Sequence, residues 1–463
     1  MAACAERAGL NLKDPIRRLC HRHVSAADKG GQLETKMDKT IRPIERLCGE
    51  VSLPGDKSIS HRVVFIGSIS RGKTTGKNFL RAEDCLNTVS AFKAMGIDIE
   101  ADKKRVTIMG KGLNGLEKPE EELYLGNSGT TMRILPGILA GQDFEAILTG
   151  DESLSKRPMD RIIAPLQKMG VGICSKSIEG FPPLVIKGGK VTPLDCSINV
   201  ASAQVKSCVL FAGLYADGVT SVTEPFLSRD HTERMLASCG AKISRKGFTV
   251  SIEGKPSLRG MEFFVPGDIS SAAFLIAGAA ILEGSDITIK EVGLNPTRLG
   301  FLNALLGMGA DIRVHNRKET VEPYGDIRLR YARLKSVVVE KKDVPLLIDE
   351  IPVLAVVAST VEGRTVIKGC SELRVKETDR IFALTENLRR IGAEIRTEGE
   401  DIIIEGKRGR FNNAILKSYT DHRTAMSMAI ASLYADGDCR IEDVDCVNTS
   451  FPEFFEMLDH LKK

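Results

Sequence analysis

The chain has 463 residues, of which 42% are hydrophobic, a size and composition that predict two or three globular domains and exclude a disordered chain or a small disulfide scaffold. Lys and Arg number 65 against 61 Asp and Glu, a formal net charge of +4, with 5% aromatic residues and no Trp. This balance indicates neither a nucleic-acid-binding protein nor a membrane-surface protein.

The first 37 residues differ in character from the rest of the chain. They are polar, contain basic and acidic residues, and end at a second methionine, Met37. The acidic residues do not fit a transit peptide, and no apolar core fits a signal peptide. We therefore predict a disordered tail over residues 1–37, followed by a first strand over about residues 41–53.

A sixfold repeat follows this first strand. Six apolar segments each end in a glycine turn that leads into a β-rich stretch, with the glycines 66 to 79 residues apart: Gly72, Gly141, Gly218, Gly284, Gly363 and Gly437. A second glycine series ends amphipathic helices: Gly96, Gly170, Gly240, Gly309 and Gly392. Each repeat therefore predicts alternating helices and strands, so the fold class is α/β (α+β).

We predict two domains of three repeats each, because a chain of this length is too long to fold around a single hydrophobic core. A boundary near Val265 and Pro266 divides the repeats equally. Residues 56–265 would form the domain with repeats one to three. Residues 38–55 plus 266–463 would form the domain with repeats four to six and the first strand, although that strand could pair with either domain.

Basic residues recur in the loops that open the predicted helices: Lys57, Arg62, Arg133, Lys156, Arg157, Arg229, Arg374, Lys376, Arg380 and Arg423. Cations are disfavoured near the positive end of a helix dipole, so an anion is expected to compensate them. Two carboxylates in these loops, Asp349 and Glu377, would stay ionised beside the cations, which suits proton acceptors. Asp268 is predicted to be an N-cap. The loops together predict an interdomain site for ligands that carry several phosphates or carboxylates.

Other classes of protein have sequence patterns that this chain lacks or matches only in part. Residues 67–74, GSISRGKT, match the phosphate-binding loop of ATPases, but that loop requires a strand before it and a helix after it, the reverse of the predicted order. Seven dispersed His and the absence of CxxC pairs indicate no metal site, and no GxSxG hydrolase motif occurs. A non-catalytic binding module is compatible with the loops but gives no reason for the carboxylates.

Eleven scattered cysteines and short apolar runs favour a reduced, cytoplasmic location.

Seven motifs occur in order along the chain: PGDKSISHR, GNSGTTMR, SKRPMDRI, SAQVKS, RVKETDR, TDHRTAM and TSFPEF. Through them, residues 41–463 resemble the EPSP synthase (3-phosphoshikimate 1-carboxyvinyltransferase) family. The resemblance implies an inverse α/β barrel fold of six βαβαββ units, three per domain, with the active site in the interdomain cleft. It also implies transfer of the enolpyruvyl group of phosphoenolpyruvate to the 5-hydroxyl of shikimate 3-phosphate in aromatic amino-acid biosynthesis, without metal or organic cofactor.

The resemblance also assigns site residues. The expected contacts of shikimate 3-phosphate are Lys57, Ser58, Arg62, Ser202, Ala203, Gln204, Arg229, Asp349 and Lys376. The expected contacts of phosphoenolpyruvate are Lys57, Asn127, Gly129, Arg157, Gln204, Arg380 and Arg423. Asp349 would accept the hydroxyl proton, while Lys57 and Glu377 are both candidates for proton transfer at C3.

Two departures from the family pattern, at Thr449 and Ile134, affect these expectations. Thr449 stands where many members have a Lys, so one phosphate contact is missing or supplied elsewhere. Gly129 leaves room for the inhibitor glyphosate, but Ile134 replaces a Pro common among sensitive enzymes, so sensitivity stays open. The alternative within the fold, UDP-N-acetylglucosamine enolpyruvyl transferase, typically uses a Cys or Asp on a flexible loop, a position none of Cys85, Cys174 or Cys208 occupies. We expect a monomer whose partners are its two small-molecule substrates.

Overall fold

Six small sheets carry the predicted repeat in the computed structural model, which describes residues 37–463. The predicted tail therefore lies, apart from Met37, outside the described residues. The chain begins with β1 (Lys39–Ile41), β2 (Cys48–Ser52), α1 (Lys57–Ile69), β3 (Arg71–Lys77), α2 (Glu83–Ala94), β4 (Asp98–Asp102) and β5 (Arg105–Lys111). It continues with β6 (Leu123–Tyr124), α3 (Gly129–Leu139), β7 (Glu145–Thr149), α4 (Glu152–Ser155), α5 (Asp160–Lys168), β8 (Gly172–Ser175) and β9 (Leu184–Lys187).

The third repeat comprises β10 (Asp195–Ser197), α6 (Ala203–Gly213), β11 (Val219–Thr223), α7 (His231–Ser238), β12 (Ile243–Lys246) and β13 (Thr249–Glu253), and β14 (Glu262–Phe264) follows it. Next come α8 (Ile269–Ile281), β15 (Asp286–Gly293), a 3-10 turn (Pro296–Arg298), α9 (Gly300–Gly307), β16 (Asp311–Lys318) and β17 (Tyr324–Arg330).

The last two repeats begin with β18 (Val338–Val339), a 3-10 turn (Val344–Leu346), α10 (Ile351–Ser359), β19 (Gly363–Ile367), a 3-10 turn (Ser371–Val375), α11 (Arg380–Arg390), β20 (Glu394–Glu398) and β21 (Asp401–Gly406). They end with β22 (Ile415–Lys417), α12 (His422–Leu433), β23 (Cys439–Glu442), a 3-10 turn (Asp445–Thr449) and α13 (Phe454–Leu461).

Five of the six sheets share one pairing pattern, and the sixth has part of it. In the sheet ordered β10-β11-β13-β12, the first pair is parallel and the next two pairs are antiparallel. The same pattern recurs in β6-β7-β9-β8, β14-β3-β5-β4, β18-β19-β21-β20 and β2-β15-β17-β16, and a three-stranded sheet keeps the parallel pair β22-β23 and adds β1. A parallel pair needs a crossover, and one helix, α3, α6, α10 or α12, supplies it in four of the sheets. The parallel pairs β14–β3 and β2–β15 instead join strands that are far apart in the chain.

Two hydrophobic cores lie beneath these sheets. One is built from residues 59–265, which we call the first lobe, and the other from residues 41–53 together with residues 269–461, which we call the second lobe. In the cores, helices such as α8 and α10 are buried on all sides, which explains their unbroken apolar sequences.

The chain passes between the lobes twice, through two segments of the same sequence, Pro-Gly-Asp. The amide of Asp56 donates to the carbonyl of Pro266 at 2.8 Å, and the amide of Asp268 donates to the carbonyl of Pro54 at 3.1 Å. Gly55 is required here, because a Cβ atom would lie 1.9 Å from the Asn78 carbonyl oxygen. The two crossover segments are thus held against each other as a short antiparallel pair.

One local expectation was wrong. The predicted first strand is two strands, β1 and β2, in different sheets of the second lobe, because Pro43 between them has no amide hydrogen to donate to a ladder. In the loop before α11, Lys376 has an extended backbone, and the helix itself begins at Arg380. The expected order at residues 67–74 is confirmed, since α1 ends within this segment at Ile69 and β3 begins at Arg71.

Candidate active site

One cleft brings together nearly all the residues that the motifs selected. Fourteen of them line it: Lys57, Ser58, Arg62, Asn127, Gly129, Arg157, Ser202, Ala203, Gln204, Arg229, Asp349, Lys376, Glu377 and Arg423. Arg380 lies behind this wall, with a side chain 1% exposed. The cleft is also lined by residues that the assignment did not include, among them Asp84, Arg133, Arg161, Arg298 and Glu372.

Helix N-termini from both lobes open onto this cleft. The helices α1, α3, α6 and α12 begin at or within one residue of lining residues, and their caps are Asp56, Ser128, Ser202 and Asp421, whose side chains accept backbone hydrogen bonds. The predicted N-cap Asp268 is confirmed at α8, where its carboxylate accepts from the Ser270 amide at 2.8 Å. Positive helix ends therefore add to the side-chain charge of the cleft.

Cations outnumber carboxylates on the cleft wall, with nine Lys or Arg against five Asp or Glu. This excess is concentrated in a partly buried space, where water screens charge poorly. Anionic ligands would relieve the mutual repulsion of the cations. The charge of the cleft thus favours ligands with several negative charges.

Asp349 lies where cations of the two lobes meet. Arg229 of the first lobe forms a close ion pair with its carboxylate, Arg380 donates to Oδ1 at 3.2 Å, and Arg423 Nη2 lies 3.6 Å from Oδ2. Burial alone would raise the pKa of the Asp349 carboxyl, but Arg423, Arg229, Lys376 and Arg380 hold that pKa well below its ordinary value. Asp349 is therefore ionised at neutral pH and able to accept a proton.

Arg380 orients both candidate proton-transfer carboxylates. Its Nη1 reaches Asp349 and its Nη2 reaches Glu377 at 2.6 Å, while Nε donates to Asp421 at 2.6 Å. Burial would raise the pKa of Glu377, yet Arg380 and Arg157 hold it well below its ordinary value. In this structure Arg380 thus acts on the cleft through the carboxylates rather than by lining it.

A second group of residues surrounds Gly129 at the start of α3. Arg157 donates a short hydrogen bond to Asn127, whose amide nitrogen donates to Asp151 at 2.7 Å. Arg133 donates to Gln204 Oε1 at 3.2 Å, and burial together with Arg157 lowers the pKa of Arg133 to about 10. The guanidinium groups of Arg133 and Arg157 thus stand together with their charge directed at the cleft.

The start of α1 supplies a third group. Lys57 Nζ lies 3.1 Å from Asp84 Oδ2, and the Lys57 amide donates to Asp268 across the crossover. Arg62 donates to the Ser58 carbonyl at 2.8 Å and to Thr232 Oγ1 at 2.7 Å, and burial lowers the pKa of Arg62 to about 10. These contacts fix the first turn of α1 against α7.

Arg298 joins the crossover segments to the cleft, a role that no local motif indicated. Its guanidinium lies 3.2 Å from Asp56, 3.6 Å from Asp268 and 3.8 Å from Glu350, the neighbour of Asp349. Burial and the nearby Asp268 raise the pKa of Asp56, whereas Arg298, against the effect of burial, lowers that of Asp268. One buried cation therefore compensates three carboxylates at the junction of the lobes.

Thr449 lies away from the cleft wall. Its hydroxyl donates to the Cys446 carbonyl at 2.7 Å in the last 3-10 turn. The cations that line the cleft beyond the assigned set are Arg133, Arg161 and Arg298.

In residues 37–463, no helix has both the length and the apolar character that a membrane span requires.

The fold is that of enolpyruvyl transferases. The enolpyruvyl transferase NikO from Streptomyces tendae aligns with a TM-score of 0.73 at 18% identity, over 91% of this chain and 96% of that structure. This likeness supports the predicted fold, the inverse α/β barrel class of repeated units. The structure of the EPSP synthase from Acinetobacter baumannii aligns with a TM-score of 0.83 at 44% identity, over 92% of this chain and 98% of that one. The predicted fold class is confirmed.

Sequence comparison specifies the family. The family model described as EPSP synthase (3-phosphoshikimate 1-carboxyvinyltransferase) matches residues 41–458. A 3-phosphoshikimate 1-carboxyvinyltransferase from Desulforamulus reducens is 51% identical over 424 residues, 91% of this chain and 99% of the relative. One from Bacillus velezensis is 47% identical over 91% of this chain and 98% of the relative. The chain belongs to the EPSP synthase family, which confirms the predicted enzyme class over the UDP-N-acetylglucosamine and ATPase alternatives.

Proposed function

We propose that this enzyme transfers the enolpyruvyl group of phosphoenolpyruvate to the 5-hydroxyl of shikimate 3-phosphate within the cleft, releasing phosphate. The observation that carries the assignment of residues is the pair of ionised carboxylates, Asp349 and Glu377, fixed by Arg380 inside a cationic cleft. A binding module for anions would gain nothing from partly buried carboxylates there, whereas addition to C2 requires a base at the hydroxyl.

The two substrates divide the cleft. Shikimate 3-phosphate would lie against Lys57, Ser58, Arg62, Ser202, Ala203, Gln204, Arg229, Asp349 and Lys376. Phosphoenolpyruvate would lie against Lys57, Asn127, Gly129, Arg157, Gln204, Arg423 and, once its side chain turns from behind the cleft wall, Arg380. Because each set combines cations with helix N-termini, two anions can be held together against their repulsion.

Addition joins the 5-oxygen to C2 of phosphoenolpyruvate, while the hydroxyl proton passes to Asp349 and C3 gains a proton. Elimination then removes a proton from C3 and breaks the bond from C2 to the phosphate oxygen. Glu377 is ionised without substrate because Arg380 and Arg157 lower its pKa. Phosphoenolpyruvate bound to those arginines would offset their charge and raise the pKa of Glu377, which would let it carry the C3 proton; Lys57 is the other candidate.

The lobes would act as two domains, residues 56–265 and residues 38–55 plus 266–463, a division that the two separate cores support. We also propose a cytoplasmic monomer. Nine cysteines of the described part of the chain are free thiols, which fits a reducing compartment. Glyphosate would bind beside Gly129 in place of phosphoenolpyruvate.

A phosphate-release assay tests the reaction. The purified protein should release phosphate when both substrates are present and not with either one alone. UDP-N-acetylglucosamine in place of shikimate 3-phosphate should give no release. Phosphate release from phosphoenolpyruvate alone, or with UDP-N-acetylglucosamine only, would contradict the proposal.

A further inference from the structure

Lys206 is a charged side chain in the core of the first lobe that the cleft does not use. It lies on α6, two residues after Gln204, and its side chain is 0% exposed. Removing an ammonium group from water costs several kcal/mol unless partners compensate it. The position of Lys206 within the SAQVKS motif therefore calls for a structural reason.

Three partners surround this ammonium group. Nζ lies 2.8 Å from Glu224 Oε2 and 2.9 Å from Glu233 Oε1, and it is 3.5 Å from the Ser228 carbonyl oxygen. The Ser228 hydroxyl donates a short hydrogen bond to the other oxygen of Glu224. The amide of Glu224 is itself bonded to the Phe248 carbonyl at 3.1 Å.

These partners lie on both sides of Arg229 along the chain. Glu224 follows the end of β11, Ser228 directly precedes Arg229, and Glu233 lies in the first turn of α7. One buried ammonium group therefore fixes the two ends of the short loop that presents Arg229. The loop is thereby held to α6, the helix whose start carries Ser202, Ala203 and Gln204.

The next residue of α6 strengthens the same junction. Ser207 Oγ lies 2.7 Å from Thr232 Oγ1, and Arg62 donates to both hydroxyls, at 3.1 Å and 2.7 Å. Arg229 extends from this junction toward Ser58 Oγ at 3.4 Å and to Asp349 of the second lobe. The junction of α6 and α7 thus sets where Arg229 stands relative to the other proposed contacts of shikimate 3-phosphate.

We propose that Lys206 is a positioning residue for the shikimate 3-phosphate half of the cleft, acting through the loop of Arg229. The proposal rests on the proposed function. Apart from Gln204, which lies on α6 and is shared by both substrates, the proposed phosphoenolpyruvate contacts lie outside α6 and the Arg229 loop, so the effect of Lys206 falls mainly on shikimate 3-phosphate. The buried ion cluster orders a substrate-binding loop and does more than stabilise the lobe.

The test uses Lys206→Met together with Glu224→Gln. This pair removes the ammonium and one carboxylate, while Glu233 keeps Arg245 at 3.1 Å, so no uncompensated charge is left in the core. The KM for shikimate 3-phosphate should rise roughly tenfold, as for a lost charge-assisted hydrogen bond. The KM for phosphoenolpyruvate at saturating shikimate 3-phosphate should stay within about twofold, because only Gln204 of its proposed contacts lies on α6 and none lies in the Arg229 loop.

A matched control is Lys242→Met with Glu253→Gln, an exposed ion pair of the same lobe at 3.0 Å, which should change neither KM. The decisive comparison is the Arg229→Ala background, where the Lys206 and Glu224 changes should add little further loss because they act through Arg229. Glu224→Gln alone provides a milder variant if the double variant fails to fold, with the same direction of change.

Two results would overturn the inference: an unchanged KM for shikimate 3-phosphate in folded variants, or an equal additional loss with and without Arg229. Both differ from failure of the proposed function, in which the unaltered enzyme would release no phosphate from the two substrates.

Discussion

Arg161 and Glu372 form a two-pronged ion pair between the lobes at the rim of the cleft, with Nη1 2.6 Å from Oε2 and Nη2 2.9 Å from Oε1. Arg161 belongs to α5 of the first lobe, and Glu372 lies in the 3-10 turn before Lys376 in the second lobe. The side chains are 45% and 27% exposed. The pair therefore joins the two lobes where solvent reaches the cleft.

Removing this pair should weaken substrate retention modestly. Because exposed ion pairs contribute about 1 kcal/mol or less, Glu372→Ala or Arg161→Ala should raise the KM values by no more than about fivefold. High salt should raise the KM values of the unaltered enzyme toward those of the variants. Steady-state kinetics at two ionic strengths measure these KM values. If the loss in the double variant equals the sum of the losses in the two single variants, the pair does not act as a unit.

Arg157 and Arg423 should matter for phosphoenolpyruvate much more than for folding. Arg157→Ala or Arg423→Ala should lower kcat/KM for phosphoenolpyruvate by about 10- to 150-fold, the loss expected for a charge-assisted hydrogen bond. The control is Arg364→Ala, an exposed arginine paired with Glu405 at 2.7 Å. Kinetics and thermal unfolding of the three variants check this, and unchanged kinetics in both site variants would remove them from the phosphoenolpyruvate set.

Gly129 controls the space beside two guanidinium groups. A Cβ atom there would lie 2.9 Å from Arg157 Nη1 and 3.0 Å from Arg133 Nη1, the mobile ends of long side chains. Gly129→Ala should therefore fold normally but displace both groups, weakening phosphoenolpyruvate and glyphosate by about tenfold or more. Inhibition curves for glyphosate in the variant and the unaltered enzyme test this, and equal inhibition would place the inhibitor elsewhere.

The buried Arg298 should be important for stability. Arg298→Met leaves Asp56, Asp268 and Glu350 without their shared cation, a loss of about 3 to 5 kcal/mol in the free energy of unfolding. Adding Asp56→Asn should restore part of it, because Asn also caps helices and carries no charge. Denaturant unfolding compares the variants, and a single variant as stable as the unaltered protein would contradict this account of the crossover.

The sequence predicted the repeat and most of the cleft because both are local patterns. Glycine turns recur at similar spacing, and helix-start loops keep their cations within a few residues of the helix cap. The contacts of Arg298 were not predictable this way, since Asp56 is 242 positions distant and meets it only where the crossover segments pair. Lys206 likewise resembles an ordinary surface lysine until α6 is known to be buried on the side it occupies. The first strand was misjudged because the effect of Pro43 depends on which sheets its neighbours join.

Asp349 provides the most direct test of the proposed chemistry. Asp349→Asn keeps the shape and hydrogen-bonding capacity of the side chain but removes the base, so phosphate release should fall by about 10²- to 10⁴-fold. Calorimetric binding of shikimate 3-phosphate should stay within about fivefold, because the surrounding arginines remain. Measuring turnover and this binding on the same folded variant decides the question. Lost turnover with retained binding is the predicted result, and full turnover would show that Asp349 does not accept the hydroxyl proton.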